Sequence, residues 1–308
     1  MDCDIFRRKM KWKNILSGCV VVSAIGSASA DWTYNLPETG LMPSAAEVAV
    51  WSDMSERHGK SSSFGMQQYD LAIPLSDPRR THFGAWAFNA ALDVEITALH
   101  ASGSLQLRKD ELYNINMPLT VIRRLENGKR LALTLMPSVS TDFSSGWSGV
   151  ALAGAADYQL YTSDTLTYSI GLIVMPQRLY YGAAPFFSVE WKPSHDWTVK
   201  LKGYRLEAMY AFTPRFSAGP VLMGMGNSWA VRTERGNQLF TVRSMVAGVT
   251  GEYDFASPGQ RKRIIKATVG SILTTTAELK RMDSGKHTVE AHHYHPGLYV
   301  SIGVDCRF

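Results

Sequence analysis

Apolar and polar residues alternate along most of the chain. In segment 82–98, apolar side chains occupy every second position from Trp86 to Ala98, and polar or small ones fill the positions between them. The same two-residue period recurs in segments 111–124 and 263–280. Because neighbouring side chains of a β-strand point to opposite faces, this pattern predicts strands with one apolar and one polar face.

Turn-forming residues separate these runs, as at 126–129, where an Asn-Gly pair tolerates the positive φ angles of a tight hairpin. The runs predict thirteen strands, near 65–76, 82–98, 111–124, 130–142, 149–161, 165–175, 183–192, 197–204, 206–212, 215–231, 238–255, 263–280 and 297–308. A further strand at 46–54 gives fourteen, and a merger of the short runs near 197–212 gives twelve. Both satisfy the even count of bacterial single-chain membrane barrels.

The length of the runs favours a membrane protein. Several span ten to eighteen residues, whereas strands of soluble proteins average about 5–6 and membrane-spanning strands need about 9–11. A soluble β-sandwich would share the alternation but not the long strands. The sequence therefore predicts an all-β fold, a transmembrane up-and-down antiparallel β-barrel of twelve to fourteen strands.

The first thirty residues have the organisation of a secretory signal peptide. Basic residues lie between Arg7 and Lys13, an uncharged apolar stretch follows from Asn14, and a small-residue site ends at Ala30. An uncleaved membrane anchor is one alternative. Lipidation at Cys19 is another, although the apolar stretch follows this cysteine rather than preceding it.

We therefore expect a signal peptide at 1–30, an N-terminal segment with at most one strand at 31–63, and an outer-membrane barrel at 64–308. The formal net charge of +5 owes much to the basic N-terminus. The remaining chain has no clustered basic face, so no nucleic-acid partner is expected. Removal of the signal peptide would leave Cys306 as the single remaining cysteine, which excludes an intrachain disulfide.

The C-terminal segment carries a second targeting signal. Apolar residues occupy alternate positions up to the last one: Leu298, Val300, Ile302, Val304, Cys306 and Phe308. This resembles the terminal strand of bacterial outer-membrane barrels, which the barrel-assembly machinery reads. The resemblance implies that Phe308, with Val304, Ile302 and Val300, forms the assembly signal, and that the barrel resides in outer-membrane lipid.

Residues 65–308 resemble uncharacterised, porin-like bacterial outer-membrane β-barrel families of unknown function, in which proline recurs at strand ends. Here these prolines are Pro74, Pro118, Pro137 and Pro176. Because proline cannot donate to a strand ladder, we expect the strands to break at these positions. The resemblance implies a location in the bacterial outer membrane.

The polar faces of the strands predict a wet interior of mixed charge. The residues expected to line the lumen are Asn89, Asp93, Glu95, Asn114, Asn116, Lys266, Glu278 and Lys280. In segment 263–280, Ile272 alone breaks the alternation. A lumen with both signs of charge has little net selectivity and a strong transverse field. We expect a narrow passive channel for small polar solutes, without a cofactor. The alternative is a structural or surface-interaction barrel without conductance.

Two further chemistries are weaker candidates. Segment 287–295 is rich in histidine, and His293 and His295 would share one strand face as ligands for Zn²⁺ or Cu²⁺. A hydrated surface loop is the other interpretation. Asp93 and Glu95 are a carboxylate pair suited to acid–base chemistry, but the chain carries no G-x-S-x-G or H-E-x-x-H motif. An enzyme is not expected, and an outer-membrane hydrolase is the remaining alternative.

Overall fold

The computed structural model describes residues 44–57, 62–76, 82–102, 105, 107–125, 129–177, 180–257, 263–281 and 289–306. The predicted signal peptide, the Asn-Gly turn and Phe308 lie outside these residues. Within the described ranges, no helix is both long and apolar enough to cross a membrane. Strands make up nearly all of this part of the chain, with one short 3₁₀ turn at Gly146–Gly149.

The strands are β1 (Ser44–Ser55), β2 (Ser63–Pro74), β3 (His82–Phe83), β4 (Trp86–Ala101), β5 (Glu111–Asn116), β6 (Leu119–Arg124), β7 (Arg130–Thr141), β8 (Val150–Thr162), β9 (Leu166–Gln177), β10 (Tyr180–Trp191), β11 (Trp197–Lys202), β12 (Arg205–Thr213), β13 (Phe216–Thr233), β14 (Gly236–Asp254), β15 (Arg263–Arg281), β16 (Val289–Tyr294) and β17 (Gly297–Cys306).

Antiparallel pairing joins these strands into a closed wall, because β1 pairs with both β2 and β17. Some consecutive segments share one place in this wall. Both β2 and β3 pair with β4, both β5 and β6 lie between β4 and β7, and both β16 and β17 pair with β15. The seventeen segments of the described chain therefore occupy fourteen positions. The predicted all-β barrel is confirmed, and β1 is the strand expected at 46–54.

The prolines interrupt the wall at two of the four expected places. Pro74 ends β2, and Pro118 separates β5 from β6. The expectation is wrong for Pro137 and Pro176, which lie inside β7 and β9. Pro137 faces the break between β5 and β6, where its carbonyl accepts a hydrogen bond from Met117 N at 3.0 Å. Its missing N–H therefore removes no bond from a continuous ladder.

An apolar belt surrounds the outside of the barrel. Its exposed members include Val48, Val50, Tyr69, Leu71, Leu133, Leu135, Ile170, Leu172, Val249, Val269, Val300 and Ile302. In water such a continuous apolar surface would drive association, whereas in a bilayer it meets lipid chains. The alternation seen in the sequence thus separates a lipid-facing side from an interior.

Aromatic rings collect at one end of the belt, beside short turns. Tyr161 stacks on Tyr168, and a chain of contacts runs through Trp197, Tyr210 and Phe212 to Phe216. Such rings mark the interface between lipid and water. We call this the turn end of the barrel and the opposite one the loop end. In bacterial outer-membrane barrels the short turns are periplasmic.

The candidate channel interior

Five of the residues expected to line the lumen share one inward-facing surface on β4 and β5. Asp93 lies opposite Asn116, and Glu95 lies opposite Asn114. Asn89 is 1% exposed and Glu95 is 6% exposed. All five point away from the exposed apolar residues of the same strands, so they face the interior of the barrel.

Carboxylates form a row on this side of the interior. Glu47 of β1 lies opposite Asp70 of β2, which in turn lies opposite Glu95 of β4. Asp93 follows two positions along β4 on the same face. We call Glu47, Asp70, Asp93 and Glu95 the acidic arc. Like charges on neighbouring strands repel one another unless water or a counter-charge lies close.

The other side of the interior is rich in cations. Its members Lys200, Lys202, Arg205 and Lys266, which we call the basic arc, face inward from β11, β12 and β15. Glu207 is 3% exposed among them. It accepts a hydrogen bond from Arg205 Nε at 2.9 Å, and its Oε2 lies 3.4 Å from Lys266 Nζ. Lys200, Lys202 and Arg205 lie across the lumen from the acidic arc. Lys266 lies closer to it, because Lys266 and Glu47 both pair with Gly303 of β17.

Glu278 and Lys280 do not share the inward face of Lys266, so the prediction that they line the lumen is wrong. The register between β14 and β15 shifts between Met245 and Val246, which leaves Leu273 of β15 as an extra residue. Below this bulge even-numbered residues of β15 face inward, and above it odd-numbered ones do. Ala277 and Leu279 consequently join the interior. Glu278 and Lys280 pair on the outer face, 3.1 Å apart.

A hydrogen bond crosses the interior near the acidic arc. Asn227 Nδ2 on β13 donates to Glu95 Oε1 at 2.7 Å, and Thr97 Oγ1 donates to the same oxygen at 3.1 Å. Because β4 and β13 lie on opposite sides of the wall, this bond spans the lumen. Hydrogen bonds to an ionised acceptor are short and strong. We call the Asn227–Glu95 contact the bridge.

Apolar side chains fill the loop-end half of the interior. This set, the apolar plug, includes Trp51, Met54, Phe64, Met66, Leu99, Leu105, Leu112, Trp229, Val231, Phe240, Val242, Ala277, Leu279 and Tyr294. The rings of Trp229 and Phe240 stack with centroids 6.0 Å apart. The axial route to the loop end is therefore closed in this conformation.

A small cavity lies between the bridge and the plug. Its lining includes Trp51, Gln68, Asn227 and Trp229, and it has room for about one water molecule. The indole N–H groups of both tryptophans are buried there without a hydrogen-bond partner. This level of the interior is consequently the transition from a polar to an apolar environment.

The loop end is narrowed further by a contact between β7 and β13. Thr141 forms a parallel bridge with Ala230, and Asp142 N donates to Ala230 O at 3.1 Å. The Asp142 carboxylate accepts a hydrogen bond from Arg232 N at 3.1 Å. The start of the segment between β7 and β8 thereby docks on the upper edge of β13.

Part of the histidine-rich segment belongs to the wall, since β16 covers Val289–Tyr294. His287 lies outside the described residues. His293 and His295 are exposed, and His293 Nδ1 lies 3.2 Å from Thr276 Oγ1. In the described ranges, no group of three or more His, Cys, Asp or Glu residues is arranged to hold a metal ion. The neighbouring His292 instead contacts Glu56 at 3.0 Å.

A closed antiparallel wall with lipid outside and charged groups inside defines a β-barrel of the bacterial outer membrane. The model of a domain of unknown function, DUF6268, matches residues 44–307. The chain belongs to this family. A comparison with curated proteins found no match.

Solved structures similar to this chain include outer-membrane channels. An outer-membrane channel from Pseudomonas putida F1 is 10% identical, with a TM-score of 0.43 and coverage of 88% of this chain and 99% of that one. The P. putida toluene transporter TodX is 8% identical, with a TM-score of 0.32 and 93% coverage of both chains. Pseudomonas aeruginosa OpdQ is 9% identical, with a TM-score of 0.29 and coverage of 86% and 98%.

Proposed function

We propose that this barrel is a narrow passive channel for small polar solutes, closed in the present conformation by the bridge and the plug. The observation that carries the proposal is the pair of opposed charged arcs inside the turn-end half. Charged side chains face the interior there, beside a small apolar cluster formed by Ala87, Ile122 and Ala132.

Buried charge is costly unless water or a counter-charge solvates it. A barrel with a purely structural role is able to fill its interior with apolar side chains, as this one does at its loop end. The presence of two charged arcs in the turn-end half of the interior supports a hydrated lumen. Opposed arcs of opposite sign orient dipolar solutes and pass small polar molecules with little net preference for charge.

The apolar plug favours a second candidate, a surface-interaction barrel that never conducts. Its side chains close the axial route at the loop end, where the extracellular connections lie. Solute flux separates the two candidates, because only a channel transmits solutes through the plug when its side chains move.

The test is solute-driven swelling and ion selectivity of liposomes that contain the refolded protein. We expect faster swelling in glycerol than for empty liposomes. Asp93→Lys should shift the reversal potential toward anions, because it adds positive charge to the acidic arc. Asp196→Lys is the matched control, since Asp196 lies in an exposed turn outside the lumen. Swelling equal to that of empty liposomes, for a barrel that is shown to be folded, would overturn the channel proposal.

A further inference from the structure

The wall of the barrel is incomplete above the hairpin of β11 and β12. β11 pairs with β10 only from Ser188 to Trp191, and the pairing of β12 with β13 begins at Met223. Above these points, residues 182–187 of β10 pair with β9, and residues 225–229 of β13 pair with β14. In the described chain, neither stretch has a strand partner on its other side. We call this interruption the side opening.

The side opening lies within the lipid belt. β11 has six residues, whereas a spanning strand needs about 9–11, so the tip of its hairpin falls short of the loop-end surface of the bilayer. Phe187, which is 56% exposed, stands beside the opening on β10. Leu172 and Val174 on the neighbouring β9 are exposed at the same level. The opening therefore faces lipid in the loop-end half of the bilayer.

Unpaired backbone groups are not stable against hydrocarbon. They are tolerated in a membrane where they line a water-filled cavity. Pro185 removes one backbone donor from the open stretch of β10, as is typical of edge strands. The unpaired edges of β10 and β13 therefore favour a side opening that water from the lumen reaches.

An apolar patch lies directly inside the opening. Met136, Ile173 and Phe186 contact one another on the inner faces of β7, β9 and β10. The Phe186 ring covers Gly171, where an added Cβ would be 2.1 Å from two atoms of the ring. This patch contrasts with the charged arcs farther down the lumen. On β13, Gly224 and Gly226 add no side chain to the other rim.

We propose that the side opening passes small uncharged apolar molecules between the lipid and the lumen. Apolar solutes concentrate in hydrocarbon, and the route bypasses the plug, which blocks the axis. The apolar patch receives them, and the hydrated half of the lumen leads to the turn end. This inference rests on the proposed channel function but concerns a different solute class and a different entrance.

The test lengthens the hairpin until it fills the opening. Inserting two Thr-Val pairs between Gly203 and Tyr204 adds two residues to each strand, about 7 Å at 3.3 Å per residue. The matched control carries the same insertion between Glu234 and Arg235, in the turn between β13 and β14 at the same end. Each variant is expressed in cells that lack their own major porins. Uptake of radiolabelled naphthalene and of glycerol is measured.

We expect the longer hairpin to reduce naphthalene uptake to that of cells without the barrel and to leave glycerol uptake unchanged. The control insertion should alter neither. Full naphthalene uptake by a folded long-hairpin variant would overturn the side opening. If cells with the unmodified protein take up naphthalene but take up no more glycerol than cells without the barrel, the polar channel is rejected and the side opening is supported.

A second variant tests the same proposal without an insertion, so that the test does not depend on correct folding of the lengthened hairpin. Gly226→Trp places a bulky ring at the rim on β13 without lengthening any strand. Gly251→Trp is its control on the closed wall, where an added Cβ has no neighbour nearer than 3.7 Å. Selective loss of naphthalene uptake in Gly226→Trp supports the proposal. Equal uptake by the two tryptophan variants contradicts it.

Discussion

Asn227 donates a hydrogen bond to Glu95 across the barrel, although the two residues lie on strands that do not pair. The bond links opposite sides of the wall at the boundary between the charged half of the interior and the apolar plug. Trp229 belongs to the plug and points inward two residues farther along β13. A single amide therefore connects the acidic arc to the strand that carries the plug.

The first prediction concerns the energy of this bridge. Asn227→Ala and Glu95→Ala should be strongly coupled in a double-mutant cycle, by about 1–3 kcal/mol, because the bond involves a charged acceptor. Chemical unfolding in detergent micelles measures the free energies. Asn227→Ala combined with Thr134→Ala is the control and should be additive, since Thr134 pairs with Thr120 rather than with β13. Additivity of the first pair would mean that the bridge is not formed.

The lipid-facing assignment predicts the effect of charge on the belt. Val269 is 54% exposed and lies opposite Val249 in the apolar belt. Val269→Lys should lower the free energy of unfolding by about 2–4 kcal/mol if this position is near the bilayer midplane. Val269→Leu, which keeps the surface apolar, should change it by less than about 1 kcal/mol. Equal stability of the two variants in liposomes would place Val269 outside the lipid.

The apolar patch beside the side opening predicts an effect of shape. Gly171→Ala should destabilise the barrel by about 1–3 kcal/mol, because the new methyl group meets both the Phe186 ring and the Ala156 carbonyl oxygen. Phe186→Ala in the same chain should recover part of this loss. Gly154→Ala is a matched control, since its Cβ would come no nearer than 3.7 Å to any other group. A Gly171→Ala barrel as stable as the control would show that the ring does not lie against β9.

The C-terminal signal remains a prediction from sequence. Val300, Ile302 and Val304 face lipid on β17, and Phe308 lies beyond the described residues. Phe308→Ser, or a polar tail after Phe308, should reduce the amount of heat-modifiable barrel in the outer membrane without reducing export. Gel mobility before and after heating measures it. Normal amounts of barrel in both variants would exclude Phe308 as the recognition element.

The alternation of the sequence predicts most of the wall, because lipid on one side and water on the other impose a period of two on every strand. Segment 82–98 and the C-terminal run correspond closely to β4 and β17. The alternation fails where the backbone adds a residue. Glu278 and Lys280 change face because of the bulge at Leu273, and the irregular Ile272 is the one local sign of it.

The local alternation of apolar and polar residues does not predict the plug or the bridge. Asn227 and Glu95 are far apart in sequence, and their contact depends on how the closed wall brings opposite strands together. The plug has a weak signal, since Trp229, Ala230 and Val231 are consecutive apolar residues and all are buried. Alternation alone assigns one face of such a stretch to lipid. Only the tertiary structure shows that both faces are covered by protein.

Single-channel conductance in planar bilayers tests the central claim, that this barrel is a channel held closed at the bridge. We compare the unmodified protein with Asn227→Ala and with Asn114→Ala, an inward-facing amide that accepts its hydrogen bond from Ser140 rather than from across the lumen. The account predicts rare, brief openings for the unmodified protein and for Asn114→Ala, and longer or more frequent openings for Asn227→Ala. Silence of all three folded proteins, or openings of Asn227→Ala identical to those of the other two, would contradict it.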